Sequence, residues 1–292
     1  MNDVKKDYMN YPKGHRLTFW RRLKKNKVSM FGLIIVIIVL FCAIFANFIV
    51  PYDTALDQDK TARLLPPSRI HLLGTDMYGR DVFARIIHGT RYSLLIGLGA
   101  VAIGISCGSI LGSISSYYGR MVDSIIMRTI DILACIPFIL LALTVVAALG
   151  PGFTNLLIAL TIANIPQYTR IVRAATLPVV GRDFIEAAKA CGASDFHIMV
   201  RHLIPNAFGV VAVQATMMIG KTIISASTLS FLGMGIQPPI PEWGSMLAEG
   251  RDYLIYAPHI VIFSGLAIVI TVLAFNLMGD GLRDALDPKL RD

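Results

Sequence analysis

The chain has 292 residues, 55% of them hydrophobic and only 16% charged, with a mean hydropathy of +0.64. That balance excludes an ordinary soluble globular domain, which is less apolar and more charged. A net charge of +8 is compatible with nucleic acid, but no soluble face interleaves aromatic and basic residues, so nucleic-acid binding is excluded; in a membrane protein such a surplus marks the cytoplasmic flanks of spans.

Residues 1–28 form a basic leader with nine lysines and arginines, from Lys5 to Lys27, and with Phe19 and Trp20 placed to rest at an interface. Such a leader orients itself to the cytoplasm, and no cleavable signal peptide is expected. The first span covers 29–50 and Pro51 ends it. Residues 51–91 form an extracytoplasmic loop, and Val82, Phe83, Ile86 and Ile87 after Asp81 predict a short interfacial helix. Five more spans are predicted within the core at 92–282: about Tyr92–Ser115, Ile130–Leu149 with a kink at Pro137, Asn155–Tyr168 running on towards Val172, Phe208–Leu232 and Ala257–Leu277. A short cytoplasmic loop carrying Arg120 and Arg128 joins spans two and three, Gly150-Pro-Gly152 turns the chain outside, and a tail at 283–292 closes it. This all-α, six-span arrangement puts both termini in the cytoplasm. It leaves 19 lysines and arginines inside against seven outside, with Lys221 alone in the fifth span.

Gly97–Ala102 (GLGAVA) fits a loose dinucleotide fingerprint but lacks the strand and turn. Gly104, Gly108 and Gly112 recur every four residues, which suits close helix packing in lipid. Ala215–Thr222 (ATMMIGKT) fits a permissive phosphate-loop pattern, yet bulky Met217, Met218 and Ile219 fill a loop that requires small residues, so no ATP site is expected here. Cys42, Cys107, Cys135 and Cys191 form no CxxC pair and read as apolar fillers. The six histidines are scattered; His197 and His202, five apart, make a poor metal pair and read as solvated or as partner contacts. No catalytic set and no metal site appear.

Between spans four and five lies a polar stretch, Asp183–Pro205 (DFIEAAKACGASDFHIMVRHLIP). Asp183 is expected to cap a helix with Glu186 reaching back, Ala187, Ala188 and Ala190 favour that helix, and Gly192 supplies a left-handed stop. Ser194 is expected to cap a second helix that Pro205 limits. A helix of about nine residues is marginal alone, and an amphipathic one is at home in a groove of another protein.

Glu186-Ala187-Ala188, then Gly192-Ala193-Ser194 and Ile204-Pro205, resemble the EAA loop of bacterial ABC importer permeases. Three further segments are similar to the peptide and nickel subgroup of that family. They are His71–Arg85 (HLLGTDMYGRDVFAR, with Leu72 where the subgroup has Pro), Gly233–Arg251 (GMGIQPPIPEWGSMLAEGR) and Gly279–Pro288 (GDGLRDALDP). The resemblance covers most of 29–290. It implies a type I importer permease fold, with 183–205 as a cytoplasmic coupling element seated on an ATPase. It also implies a complex of two different permeases, two ATPases that hold ATP and Mg, and an extracytoplasmic solute-binding protein. The solute would be a dipeptide or oligopeptide, or else nickel, a metal chelate or glutathione. Ala226 stands where the subgroup has a Glu, which leaves the solute class open. Lys221, an intramembrane charge, is the candidate for the translocation path, with Gln214, Ser225, Ser227 and Thr228 as polar lining. A self-sufficient channel or carrier, or an intramembrane enzyme, is the competing class; the sequence shows neither a clear internal repeat nor a nucleophile and base.

Overall fold

The computed structural model describes residues 23–24 and 26–286. Expectations for most of the basic leader, including Phe19 and Trp20, and for Asp287, Pro288, Lys289 and Arg291 lie outside the described residues. The described chain is helical throughout, apart from loops and one isolated bridge between Thr75 and Asp81.

Helix α1 (Lys27–Ile49) starts on Asn26, whose side chain accepts the Ser29 amide at 3.2 Å. Phe31, Ile34, Phe41 and Phe48 point outward, as a lipid-facing helix requires. Phe45 leaves helical geometry, and Arg91 donates to the carbonyls of Ala43 and Ile44 just before it. A short α2 (Tyr52–Leu56) and an irregular loop lead to α3 (Val82–Tyr118), capped by the Asp81 side chain. The expected interfacial helix and second span are one helix of 37 residues, about 55 Å long against a hydrocarbon core of ~30 Å. Hydropathy alone separates its polar first turns from its apolar middle; the backbone does not.

The expected loop at Arg120 and Arg128 is also helical: α4 (Arg120–Ala134) runs into α5 (Phe138–Leu149) across an 85° bend. Pro137 does more than kink span three. It has no N–H to give and disfavours helical geometry in the residue before it, so the helix stops and restarts. Helix α6 (Phe153–Val180) carries Pro166 and Pro178 and extends past the predicted end of span four. After the polar stretch at 183–203, α9 (Ile204–Phe231) runs back, α10 (Trp243–Arg251) forms within the expected outer loop, and α11 (Pro258–Leu286) ends the described chain. Among the described residues, four helices are long and apolar enough to cross a membrane, or five if the bent pair counts as one.

In lipid, apolar burial between helices supplies little net drive, and close van der Waals contact takes its place. The seam between α3 and α6 is built that way. A Cβ on Gly104 would lie 2.8 Å from the Tyr168 ring, one on Gly108 2.5 Å from the Tyr168 Cβ, and one on Gly112 2.8 Å from the Thr169 carbonyl. Gly32 of α1 packs as closely on Ala274 and Leu277 of α11. One core joins α3, α9, α10 and α11 around Leu94, Ile223, Trp243 and Phe275. A second joins α3, α5 and α6 around Ile96, Ala142, Leu156 and Leu160. All four cysteines are free thiols, but Cys135 and Cys191 are exposed on this chain, so only Cys42 and Cys107 act as fillers.

Candidate functional site

The polar stretch between α6 and α9 folds as helix, elbow, helix. Helix α7 (Asp183–Ala190) begins one residue earlier than expected. Arg182 is the extended residue before it, no side chain caps it, and Asp183 lies inside the first turn, so the box between Asp183 and Glu186 does not form. Asp183 and Glu186 instead place two acids in the first turn, where the helix dipole favours them. Gly192 has φ +81°, its amide donates to the Lys189 carbonyl at 2.9 Å, and the Ala193 amide donates to the Ala188 carbonyl at 3.0 Å. That pair of bonds is the Schellman stop a left-handed glycine permits.

Ser194 caps α8 (Asp195–Ile198), accepting the His197 amide at 3.3 Å. Pro205 does not limit this second helix. A π-helical segment, Met199–Leu203, carries α8 directly into α9, and Pro205, the second residue of α9, follows that wider turn, where a break in the regular bonding accommodates a residue without an N–H. The predicted boundary at Phe208 therefore moves back towards Ile204.

Ile185, Ile198 and Leu203 turn inward onto Val179 and form a small separate core with Ala188, Ala193 and Tyr117 packed against it. Glu186 and Ala187 stay exposed, together with Phe184 (40%), Phe196 (72%) and Val200 (47%). The element thus offers water an apolar surface edged by acids. His197 is exposed and His202 half-buried, with ring centroids 6.0 Å apart, and no group of metal-ligating residues forms among the described residues.

The side-chain anchors of this inner end come from α3, α4 and α6. Tyr117 and Tyr118 donate their hydroxyls to the two oxygens of Asp195 at 2.6 and 3.0 Å. These bonds hold the Asp195 carboxyl below its ordinary range, and burial together with Asp195 pushes the Tyr117 phenol up to about 12. Arg173 grips Asp123 with two bonds of 2.6 and 2.7 Å, which depresses that carboxyl as well.

Of the residues proposed for the path, Gln214, Lys221, Ser225 and Thr228 share one face of α9 and Ser227 does not. Lys221, Gln214 and Thr228 repeat every seven residues along α9 on its outward stripe, Lys221 exposed and the others half-buried. Ser225, four residues on, lies next to Lys221 on that face, is buried, and donates to the Lys221 carbonyl at 3.0 Å, while Ser227 is buried well round the helix from them. The Lys221 ammonium lies 5.6 Å from the Phe138 ring, beside the bend between α4 and α5. A shallow cavity of 240 Å³ lies further out along α9, lined by Ile224, Ser227, Thr228, Phe231, Leu247 and Ile268.

One cluster escaped the sequence reading. The two outer segments singled out by their resemblance meet in space. Arg80 donates to Asp76 and to Glu249, each at 2.7 Å, and Arg85 bridges the same two acids at 2.5 and 2.6 Å. Both arginines and Asp76 are about 1% exposed. Nearby, Glu242 caps α10 through the Gly244 and Ser245 amides, and Trp243 donates to the Ile86 carbonyl at 3.1 Å. Burial pushes the Glu242 carboxyl up, against the pull of those amides. His259 bonds the Thr75 carbonyl and His88 the Val50 carbonyl, so these two histidines are structural, not solvated. Asp76 and Arg80 lie in the loop before α3 and Arg85 in its first turn, so no regular spacing marks them, and their partner Glu249 lies 164 residues beyond Arg85.

Long apolar helices, a glycine-packed seam and a water-exposed helical element between two of them define a multi-pass membrane permease. Comparison with known proteins agrees. Residues 104–292 match the family described as binding-protein-dependent transport system inner membrane component, and 17–67 match the N-terminal TM domain of oligopeptide transport permease C. Over 273 residues the chain is 48% identical to the glutathione transport system permease protein GsiD of Escherichia coli O6:K15:H31, covering 94% of this chain and 90% of that protein. It is 46% identical to the protein of the same name in Pectobacterium atrosepticum, covering 94% and 91%. To the di/tripeptide transport system permease protein DppC of Pseudomonas aeruginosa it is 44% identical, covering 94% and 92%. Among solved structures, the MetNI methionine ABC transporter in inward-facing conformations superposes with a TM-score of 0.56 at 20% identity, covering 70% of this chain and 97% of that one, which shows a shared fold. The chain belongs to the family of binding-protein-dependent transport system inner membrane components, and is an ABC transporter permease of the inner membrane.

Proposed function

We propose that this chain is one of two different permeases in an ATP-driven importer of short peptides, glutathione included, and that α7 and α8 form its contact with an ATPase. The observation that carries this reading is the coupling element itself. It is a short amphipathic helix pair with its own small core, an outward apolar surface of Phe184, Phe196 and Val200, and acids in its first turn. Such a surface needs a groove on a partner to cover it. ATP and Mg belong to two partner ATPases, since Gly220 and Lys221 lie within α9 and no phosphate loop accompanies them. An extracytoplasmic binding protein delivers the solute, and the membrane lipid surrounds six crossings with both termini in the cytoplasm.

Relatives named for glutathione and for di- and tripeptides share a chemistry: a short peptide backbone with free carboxylate. Lys221 suits it. A lysine at membrane depth is tolerated where it meets water or a partner, and the non-helical backbone at Pro137 beside it is tolerated on the same terms. Nickel or a metal chelate is the second reading of the solute. It has no support in a His or Cys cluster among the described residues.

The test is co-expression with candidate ATPases and the second permease, copurification in detergent, and uptake of labelled dialanine, glutathione and nickel in a deletion strain. The reading expects an ATPase to copurify and peptide uptake to be restored. Transport by the purified chain alone in vesicles would overturn it. Lys221→Met should weaken uptake of anionic peptides with assembly intact; unchanged uptake would remove Lys221 from the path.

A further inference from the structure

We propose that Tyr117, Tyr118 and Asp195 form a clamp that ties the coupling element to the inner end of α3, and that it is through this clamp that motion passes between them. The proposal rests on the reading of α7 and α8 as the ATPase contact. Among the described residues, the bonds from Tyr117 and Tyr118 to Asp195 are the side-chain hydrogen bonds that link 183–200 to any other part of the chain. The remaining attachment is the small apolar core and the two points where the chain continues into α6 and α9.

The geometry is specific. Adjacent residues on a helix point about 100° apart and do not ordinarily share a partner. Tyr117 and Tyr118 do so because α3 ends at Tyr118, with Gly119 at φ +60°, so that one carboxylate beneath the helix end takes both hydroxyls. The two rings meet edge to face at 5.1 Å, and the Lys189 ammonium of α7 sits 4.7 Å from the Tyr117 ring centroid. One tyrosine therefore touches both helices of the coupling element. Its ring packs on the small core and its hydroxyl reaches Asp195.

Helix α3 is suited to carry what the clamp delivers. It has no proline, it is backed by the glycine seam, and Arg85 in its first turn belongs to the buried outer network. A displacement at the coupling element thus reaches the outer face along one unbroken helix. These are positioning residues, since none of them touches solute or nucleotide. Without the clamp the ATPase can rock α7 and α8 while α3 stays behind, so ATP is spent without transport.

The test uses the complete complex in vesicles with its binding protein. Tyr117→Phe combined with Tyr118→Phe removes both donors and keeps both rings. The expected result is an assembled complex that hydrolyses ATP at a near-normal rate while the solute moved per ATP falls about 5-fold or more. Asp195→Asn, which retains one acceptor oxygen, should fall between. Tyr256→Phe, which removes an exposed phenol outside the coupling element and the clamp, should keep the normal ratio. A normal ratio in the double variant overturns the clamp, and so does loss of ATPase copurification in that variant, which would show a purely structural role. If no ATPase copurifies with the unsubstituted chain, it is the ATPase-contact reading that has failed, and the clamp falls with it.

Discussion

The two ends of α3 both use charged side chains to fix a loop to the helix, but in opposite environments. At the Asp81 end, Asp76, Arg80 and Arg85 are buried and Glu249 nearly so, and the four neutralise one another. At the Tyr118 end, Asp195, Tyr117, Tyr118 and Lys189 lie in or near solvent. A buried set of this kind is costly to break because removing one member strands the rest. An exposed set is weak, screened and easily remade. The contrast sets a buried network whose loss costs stability against an exposed tie whose loss leaves the fold intact.

The sharpest way to break the comparison is Arg85→Ala. It leaves Asp76 and Glu249 buried with less compensation and should cost about 3–5 kcal/mol, read as a large drop in melting temperature in detergent. Arg170→Ala removes a pair whose partners are half exposed and should cost under about 1 kcal/mol. Similar losses from the two variants would contradict the distinction. Next in size, Gly108→Leu forces a side chain into backbone contact at the α3–α6 seam and should cost about 1–3 kcal/mol, with reduced yield of folded chain. Gly192→Asp meets no neighbour within 4 Å, but it must hold φ +81°, a strain of about 1–2 kcal/mol confined to the elbow. It should lower transport or assembly and leave membrane insertion intact; full uptake would show that the elbow has no role.

The smallest effect is with pH. Asp195 is depressed from 3.8, so its contribution is complete above that value and lost only as pH falls below it. Tyr117 is raised from 10.0 to about 12, so its contribution is complete below 10 and lost as pH climbs through 12. Solute moved per ATP should therefore stay level from about pH 5.5 to 8.5. A step in that window that is absent from the Tyr117→Phe, Tyr118→Phe variant would assign a titration to the clamp and break this account.

Much of the architecture was legible because lipid imposes long apolar runs and punctuates them with glycine and proline. The coupling element was legible because Gly192 and Ser194 act locally, through backbone conformation and one cap. Pro205 misled because a π-helical turn just before it lets the helix run through, and sequence alone did not show that turn. Asp183 misled by a single residue, since Arg182 took the extended conformation instead. The merging of the interfacial helix into α3 was hidden because hydropathy records lipid contact, not backbone continuity. The outer network was hidden for a different reason. Its halves lie far apart in the chain, and each charge in isolation looks like an ordinary solvated loop residue.

Where α3 crosses α6, the approach of Gly104, Gly108 and Gly112 leaves main chain resting on main chain and on the flank of Tyr168. Such a joint has no interchangeable side chains with which to slip by a notch. The two helices must travel as a single plank, and any widening or narrowing of a passage has to be accommodated elsewhere, where α9 meets the bent pair α4–α5 and where bulky, replaceable groups such as Phe138 face Lys221.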